Sequence, residues 1–476
     1  MSDELDGWAH AVLVAAIGGT TAPAPWVAGR LDRGLGGVCL FGRNVVDAAQ
    51  VRGLTDALRA VRPDVLVCTD EEGGDVTRLH HREGSPHLGA LALAATGDPG
   101  LTLATAAAIG HELVAAGVDW DLAPVADVPA SPRSPVIGVR AFGSDATDVA
   151  RHVAAYVEGL SAAGVLSCVK HFPGHGATDA DSHTALPRVR ADRRRLDEVD
   201  LVPFRAAVDA GVDTVMLGHL VVEALDPELP ASLSPAAVRL LREDLGFGGL
   251  VVTDAVDMDA VARGWTTPGA AALAVASGAD AVCVSGGQHD EEIVDACVRA
   301  IVGAVRSGEL PEERLAEAAG RVAALAARRR RPGSAPPLPD AAADRSLRVR
   351  GAAELPPGPV DVVVGSGPVN IAAGEVPWHP GARLRSARPG TAVYDLARGR
   401  PELDPCRPLV VVVRDLHRHP DLEREVRAVV AQRRDAVVVE MGVPVLDPGG
   451  RAWVCSSGAS AGSAAAVTRL LLGGRS

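Results

Sequence analysis

The sequence carries no surplus of basic charge. Its 476 residues hold 47 Lys and Arg against 60 Asp and Glu, a formal net charge of −13, which leaves no general polyanion-binding surface and excludes nucleic acid as the natural partner. It contains no C-x-x-C pair either. Seven cysteines are scattered as Cys39, Cys68, Cys168, Cys283, Cys297, Cys406 and Cys455, most of them inside apolar runs. That pattern excludes a zinc ribbon and a disulfide framework, and predicts buried, reduced thiols. No apolar run is long enough to span a bilayer, and the opening stretch, MSDELDGWAHAVLVAAIGG, is acidic where a secretory leader is basic. These absences predict a cytoplasmic protein that engages neither membrane nor nucleic acid. What is present is an ordinary globular composition, 47% hydrophobic and 22% charged, in a chain long enough for one large barrel and a smaller appendage.

Eight short apolar runs punctuate the first 330 residues: AVLVAAIGG, GGVCLFG, VLVCTD, VDWDLAPVADV, GVLSCVKHF, TVMLGHL, GLVVTDAV and AVCVSGG. Stretches between them, such as DAAQVRGLTDALRAV and DATDVARHVAAYVEGLSAAG, have helical periodicity, and several end on glycine. Eight strand–helix units predict an α/β fold of the (β/α)8 TIM-barrel type, whose chemistry lies at the C-terminal ends of the strands. The polar clusters TDEEGG, PVADV, GHL and TDAVDM fall at that end, each just past an apolar run.

A basic run, Arg328 to Arg331, followed by a Pro-rich stretch marks a linker. The expected organisation is a barrel over 1–330, a linker over 331–356 and a smaller α/β sandwich domain over 357–476. VDVVVGSG, PLVVVVRD, DAVVVEMG and AWVCSSG supply a largely parallel sheet to the second domain. The arginines read as a solvated helix end favoured by the helix dipole. GASAG, Gly458 to Gly462, matches the G-x-S-x-G nucleophile elbow between a strand and a helix. No Asp, Glu or His follows it, so small residues permitting close helix–sheet approach explain it better.

The densest chemistry is KHFPGHGATDADSH, Lys170 to His183. His171, His175 and His183 with Asp179 and Asp181 are metal-ligand types, but Pro173, Gly174 and Gly176 forbid the helix that would align 171 with 175. No metal and no cofactor is expected. Lys170 and His171 end an apolar strand, where an ammonium without a carboxylate or ligand partner is costly.

This loop, together with GGVCLFGRNV, TDEEGGDVTRL, DLAPVADV, PVIGVRAFGSD and LREDLGFGGLVVTDAVDM, resembles the family 3 glycoside hydrolases, in the NagZ-like β-N-acetylglucosaminidase branch. The likeness covers roughly residues 10–330, and the C-terminal part is similar, less specifically, to the family's α/β sandwich domain. The resemblance implies a retaining exo-acting enzyme on soluble GlcNAc-containing oligosaccharides or cell-wall fragments. Asp254 then matches the nucleophile, and His183 with Asp181 the acid/base dyad. Asp70, Arg140, Lys170, His171 and His219 match sugar-binding positions. Arg140 also reads as an ion-pair partner, and His219 as a hydrogen-bonded barrel histidine. A neutral histidine base tolerates an anionic acceptor better than a carboxylate does, so phosphate, giving GlcNAc 1-phosphate, stands beside water as acceptor. A non-catalytic sugar-binding protein is the further alternative. Two departures from the family pattern are Ala177, where Asp is common, and Glu71, where Gln is frequent.

Overall fold

The computed structural model describes residues 2–132, 137–178, 186–285, 290–328, 338, 342–367 and 372–474. Asp179, Asp181 and His183 lie outside the described residues, as does much of the expected linker. The chain forms two compact units. One comprises 1–71, 102–130 and 144–337, the other 72–101, 131–143 and 338–476.

The first unit is built on eight parallel strands: β1 Leu13–Ala16, β2 Gly37–Leu40, β3 Leu66–Thr69, β4 Trp120–Asp121, β5 Leu166–Phe172, β6 Thr214–Leu217, β7 Leu250–Thr253 and β8 Val282–Val284. Each pairs with its chain neighbour, β8 returns to β1, and the parallel bridge Val252–Ala281 closes the ring between β7 and β8. Every strand residue is buried, which is why the sequence shows continuous apolar runs where a half-exposed sheet would alternate. One apolar cluster includes Val14, Leu66, Trp120, Met216, Leu250 and four cysteines, Cys39, Cys68, Cys168 and Cys283. The Trp120 indole donates to Thr214 Oγ1 at 3.0 Å, so its one polar atom is satisfied. Burial pushes the Cys168 thiol up to about 12 and those of Cys68 and Cys283 well above their ordinary range. These thiols are packing groups. Of the seven cysteines, all unpaired, Cys406 alone is exposed.

Local signals set the helix ends. Helix Ala48–Val61 starts where the Asp47 carboxylate accepts from Gln50 N at 2.8 Å. Helix Ala146–Ala163 starts at Asp145 and stops at Gly164, whose φ of 87° is the left-handed cap that glycine takes without strain.

The second unit contains a six-stranded sheet: β9 Arg348–Gly351, β10 Asp361–Gly365, β11 Ala392–Asp395, β12 Leu409–Val413, β13 Val437–Glu440 and β14 Ala452–Cys455. The order is β9-β14-β13-β12-β10-β11, parallel throughout except for β9, which runs antiparallel to β14. The valine runs feed both faces alternately. Val362, Val410, Val412, Val437 and Val439 pack with Leu384, Val467 and Leu471, while Val363, Val411, Val413 and Val438 pack with Val426, Val429 and Val430. Residues 348–351, expected in the linker, are thus the sheet's edge strand, and 72–101 and 131–143, expected with the barrel, belong to this second unit.

Candidate active site

The C-terminal ends of β3, β5 and β7 deliver Asp70, Lys170 with His171, and Asp254 to one end of the barrel. The buried ammonium finds its partner: Lys170 Nζ donates to Asp70 Oδ1 at 2.7 Å, with the lysine side chain 3% exposed. A charge-assisted hydrogen bond of that kind offsets a desolvation that neither group would tolerate alone.

His171 is held by a residue the sequence offered only as part of the PVADV cluster. Asp127, wholly buried, accepts from His171 Nδ1 at 2.7 Å on one oxygen, and from the backbone N–H groups of His175 (2.6 Å) and His171 (3.3 Å) on the other. Burial alone would raise the Asp127 carboxyl, but the His171 and His175 rings and these hydrogen bonds outweigh it and hold the group below its usual range. The His171 and His175 rings meet edge to face, centroids 5.9 Å apart. Burial lowers the His175 pKa despite the Asp127 charge beside it, so the ring is neutral at pH 7. Its Nε2 is buried and has no hydrogen-bond partner among the described residues.

The glycines of the loop have steric reasons. Gly174 sits at φ 127°, and a Cβ on Gly176 would lie 2.1 Å from the Val128 carbonyl oxygen. Asp254 follows β7, its N–H bonded to Leu217 O at 2.9 Å and its Oδ1 accepting from Ala255 N at 2.8 Å. The carboxylate is therefore oriented by its own turn and partly exposed.

His219 shows the hydrogen bonding of the barrel-histidine alternative. It is fully buried, its Nε2–H donates to Ala255 O at 2.8 Å, and its Nδ1 meets Ser232 Oγ at 2.8 Å. Burial lowers its pKa, so the neutral ring accepts from the serine hydroxyl. Both ring nitrogens are engaged by the protein, and the Ala255 bond ties the ring to the turn that carries Asp254.

In the second unit, Arg140 makes a two-pronged pair with Glu72, Nε to Oε2 at 2.9 Å and Nη2 to Oε1 at 2.6 Å, both side chains buried. The elbow-like serine, Ser460, caps helix Ala461–Leu471, accepting from Ser463 N at 2.9 Å. The close approach that its neighbouring glycine permits is to a loop: a Cβ on Gly462 would lie 2.4 Å from the Pro86 carbonyl oxygen.

The family described as the glycosyl hydrolase family 3 N terminal domain matches residues 28–325. A β-hexosaminidase of Stenotrophomonas maltophilia (strain R551-3) is 40% identical over 282 residues, 56% of this chain and 80% of that protein. β-Hexosaminidase A of Pseudoalteromonas piscicida is 33% identical over 317 residues, 61% of this chain, and the chain spans 53% of that relative's length. A solved glycoside hydrolase family 3 β-N-acetylglucosaminidase from Paenibacillus sp. str. FPU-7 aligns with a TM-score of 0.87 at 31% identity, over 99% of this chain and 97% of that one. The β-N-acetylhexosaminidase of Beutenbergia cavernae DSM 12333 aligns with a TM-score of 0.61 at 31% identity, over 68% of this chain and 98% of that one.

Proposed function

Because the chain belongs to glycosyl hydrolase family 3, we propose that it is a retaining exo-β-N-acetylglucosaminidase acting on small GlcNAc-containing oligosaccharides or cell-wall fragments. The observation that carries this reading is the Asp254 carboxylate, fixed by Ala255 N at the strand end where the Lys170–Asp70 and His171–Asp127 pairs also lie.

Asp254 attacks the anomeric carbon and forms a glycosyl ester, while the aglycone oxygen departs with a proton from His183. Water then attacks the anomeric carbon, gives its proton to the neutral imidazole of His183, and the C1–O bond to Asp254 breaks, which restores the carboxylate and retains the anomeric configuration. Asp181 orients that ring and stabilises its charged form. Asp70, Lys170 and His171 hold sugar hydroxyls from pre-paired, immobilised positions, and Arg140 does so from its fork on Glu72. The unpaired thiols fit a reducing cytoplasm. No helix among the described residues is long and apolar enough to cross a membrane.

Incubation with an aryl β-GlcNAc glycoside and with chitobiose, at zero and millimolar phosphate, tests the reading. The expected product is GlcNAc, first appearing as the β-anomer, at a rate independent of phosphate. GlcNAc 1-phosphate would move the acceptor from water to phosphate. Binding without turnover would leave only a sugar-binding protein.

A further inference from the structure

Asp75 lies in the segment that follows β3, and nothing in the proposed chemistry uses it. It is 4% exposed, yet both of its oxygens are engaged within the second unit. Oδ2 accepts from Arg414 Nη2, and Oδ1 accepts from Ala459 N at 2.7 Å. Arg414 directly follows β12, and Ala459 follows β14 immediately before the Ser460 cap. In chain order the parallel strands are arranged second, first, third, fourth, fifth, the doubly wound pattern that binds ligands at the carboxyl ends of its strands, beside the point where the order reverses. Here β10 and β12 flank that point, and the anion held at the carboxyl ends is a side chain of the protein itself.

The cradle is rigid. The buried Glu440 carboxyl group, at the end of β13, accepts from the N–H groups of Gly442 (2.7 Å), Asp415 (2.8 Å) and Leu416 (3.2 Å), which fixes the turn carrying Arg414. Asp415 adds a bond to Val443 N at 2.9 Å. Other contacts within the same unit tie these segments together: Gly462 N bonds to Ser85 O, His417 Nε2 bonds to Pro132 O at 2.9 Å, and Arg345 pairs with Asp98 at 2.9 Å.

From Asp75 the constraint runs to Arg140 through a tight turn. Gly73 and Val76 bridge, Glu72 N bonds to Val76 O at 3.1 Å, and Gly73 and Gly74 take φ of 72° and 60°. Asp75 is inside that turn, and Glu72, which closes it, is the residue that forks Arg140. We propose that Asp75 is a positioning residue: the C-terminal sheet binds it as an internal anionic ligand and thereby fixes the Glu72–Arg140 pair for sugar binding. This rests on the reading of Arg140 as a sugar-gripping residue.

The test uses the full chain in three variants, Asp75→Asn, Arg414→Ala and Arg414→Lys. Asp75→Asn and Arg414→Ala should each raise KM for an aryl β-GlcNAc glycoside about tenfold with kcat and its pH profile unchanged. Arg414→Lys, which can still place one donor on Asp75, should recover part of the loss. In an Arg140→Ala background the Asp75→Asn substitution should change KM no further. Unaltered KM in an active Asp75→Asn enzyme, or an equal KM increase in the Arg140→Ala background, would overturn the proposal. Hydrogen exchange at the Glu72 and Val76 amides needs no substrate. It should accelerate in Asp75→Asn, and unchanged protection would sever the mechanical link whatever the enzyme's sugar proves to be.

Discussion

The barrel strands carry aspartates at both ends, and the two sets keep different company. Asp280, just before β8, is fully buried and accepts from Arg242 at 2.5 Å, Arg314 at 2.7 Å and Val251 N at 2.9 Å. Asp213, just before β6, accepts from Ser167 N at 3.1 Å and pairs with Arg328 at 3.3 Å. At the opposite end Asp70 pairs with a lysine, Asp127 with a histidine, and Asp254 is oriented by backbone. Guanidinium groups stay charged at any physiological pH and bind carboxylates for good. The Lys170 ammonium on Asp70 is charged as well, but the imidazole on Asp127 and the backbone N–H on Asp254 leave a proton movable or a carboxylate reactive. The same residue type therefore closes the barrel at one end and equips it for chemistry at the other, and its partners decide which.

The largest expected effect follows directly. Asp254→Asn should lower kcat by about a thousandfold or more while the thermal midpoint stays close to that of the parent, because the amide keeps the shape and the Ala255 bond but has no nucleophilic charge. Steady-state kinetics and melting of the same preparation check both halves.

Asp280→Asn should do the reverse. It leaves Arg242 and Arg314 facing an uncharged group, at a cost of about 2 kcal/mol once their partial solvation is allowed for, with kcat per folded molecule unchanged. A kcat loss matching that of Asp254→Asn would erase the distinction between the two ends.

His219 sharpens the comparison, since it bonds to the residue after Asp254 and to Ser232 rather than to an arginine or lysine. Burial lowers its folded pKa below the ordinary 6.5, so the unfolded chain binds the extra proton first. The stability it contributes is fully present above pH 6.5 and is lost as pH falls from 6.5 through the folded value, and His175 acts in the same direction. His219→Asn should be less stable at neutral pH but show a flatter decline of thermal midpoint as pH falls below 6.5. An unchanged slope would mean that the ring does not titrate as its burial implies.

The smallest effect belongs to Ser460. Ser460→Ala removes a helix cap worth about 1 kcal/mol and should leave kcat untouched. Activity lost to the degree expected for Asp254→Asn would make it a nucleophile after all.

The barrel was legible because its strands are buried on both sides and read as unbroken apolar runs, even where, as at β4, only Trp120 and Asp121 keep ladder geometry. The valine strands β10, β12 and β13 were legible for the same reason. β9 was not, because RVRG lies exposed at a sheet edge and carries no apolar signal, and the half-buried AVYD of β11 is little better. Strand-end polar clusters marked where the site residues lie, but not how they pair. Asp127 and His171 are 44 residues apart, Glu72 and Arg140 are 68, and Asp75 and Arg414 are 339, and no local pattern announces such contacts. That is also why the segment 72–101 read as part of the barrel.

One measurement tests most directly the claim that a strand-end carboxylate does the chemistry. A fluorinated GlcNAc donor with a good leaving group, slow in its second step, should add one glycosyl mass to the intact protein, and peptide mapping should place that mass on Asp254 and remove it in Asp254→Asn. An adduct on any other residue, or turnover with inversion and no adduct, would contradict the account.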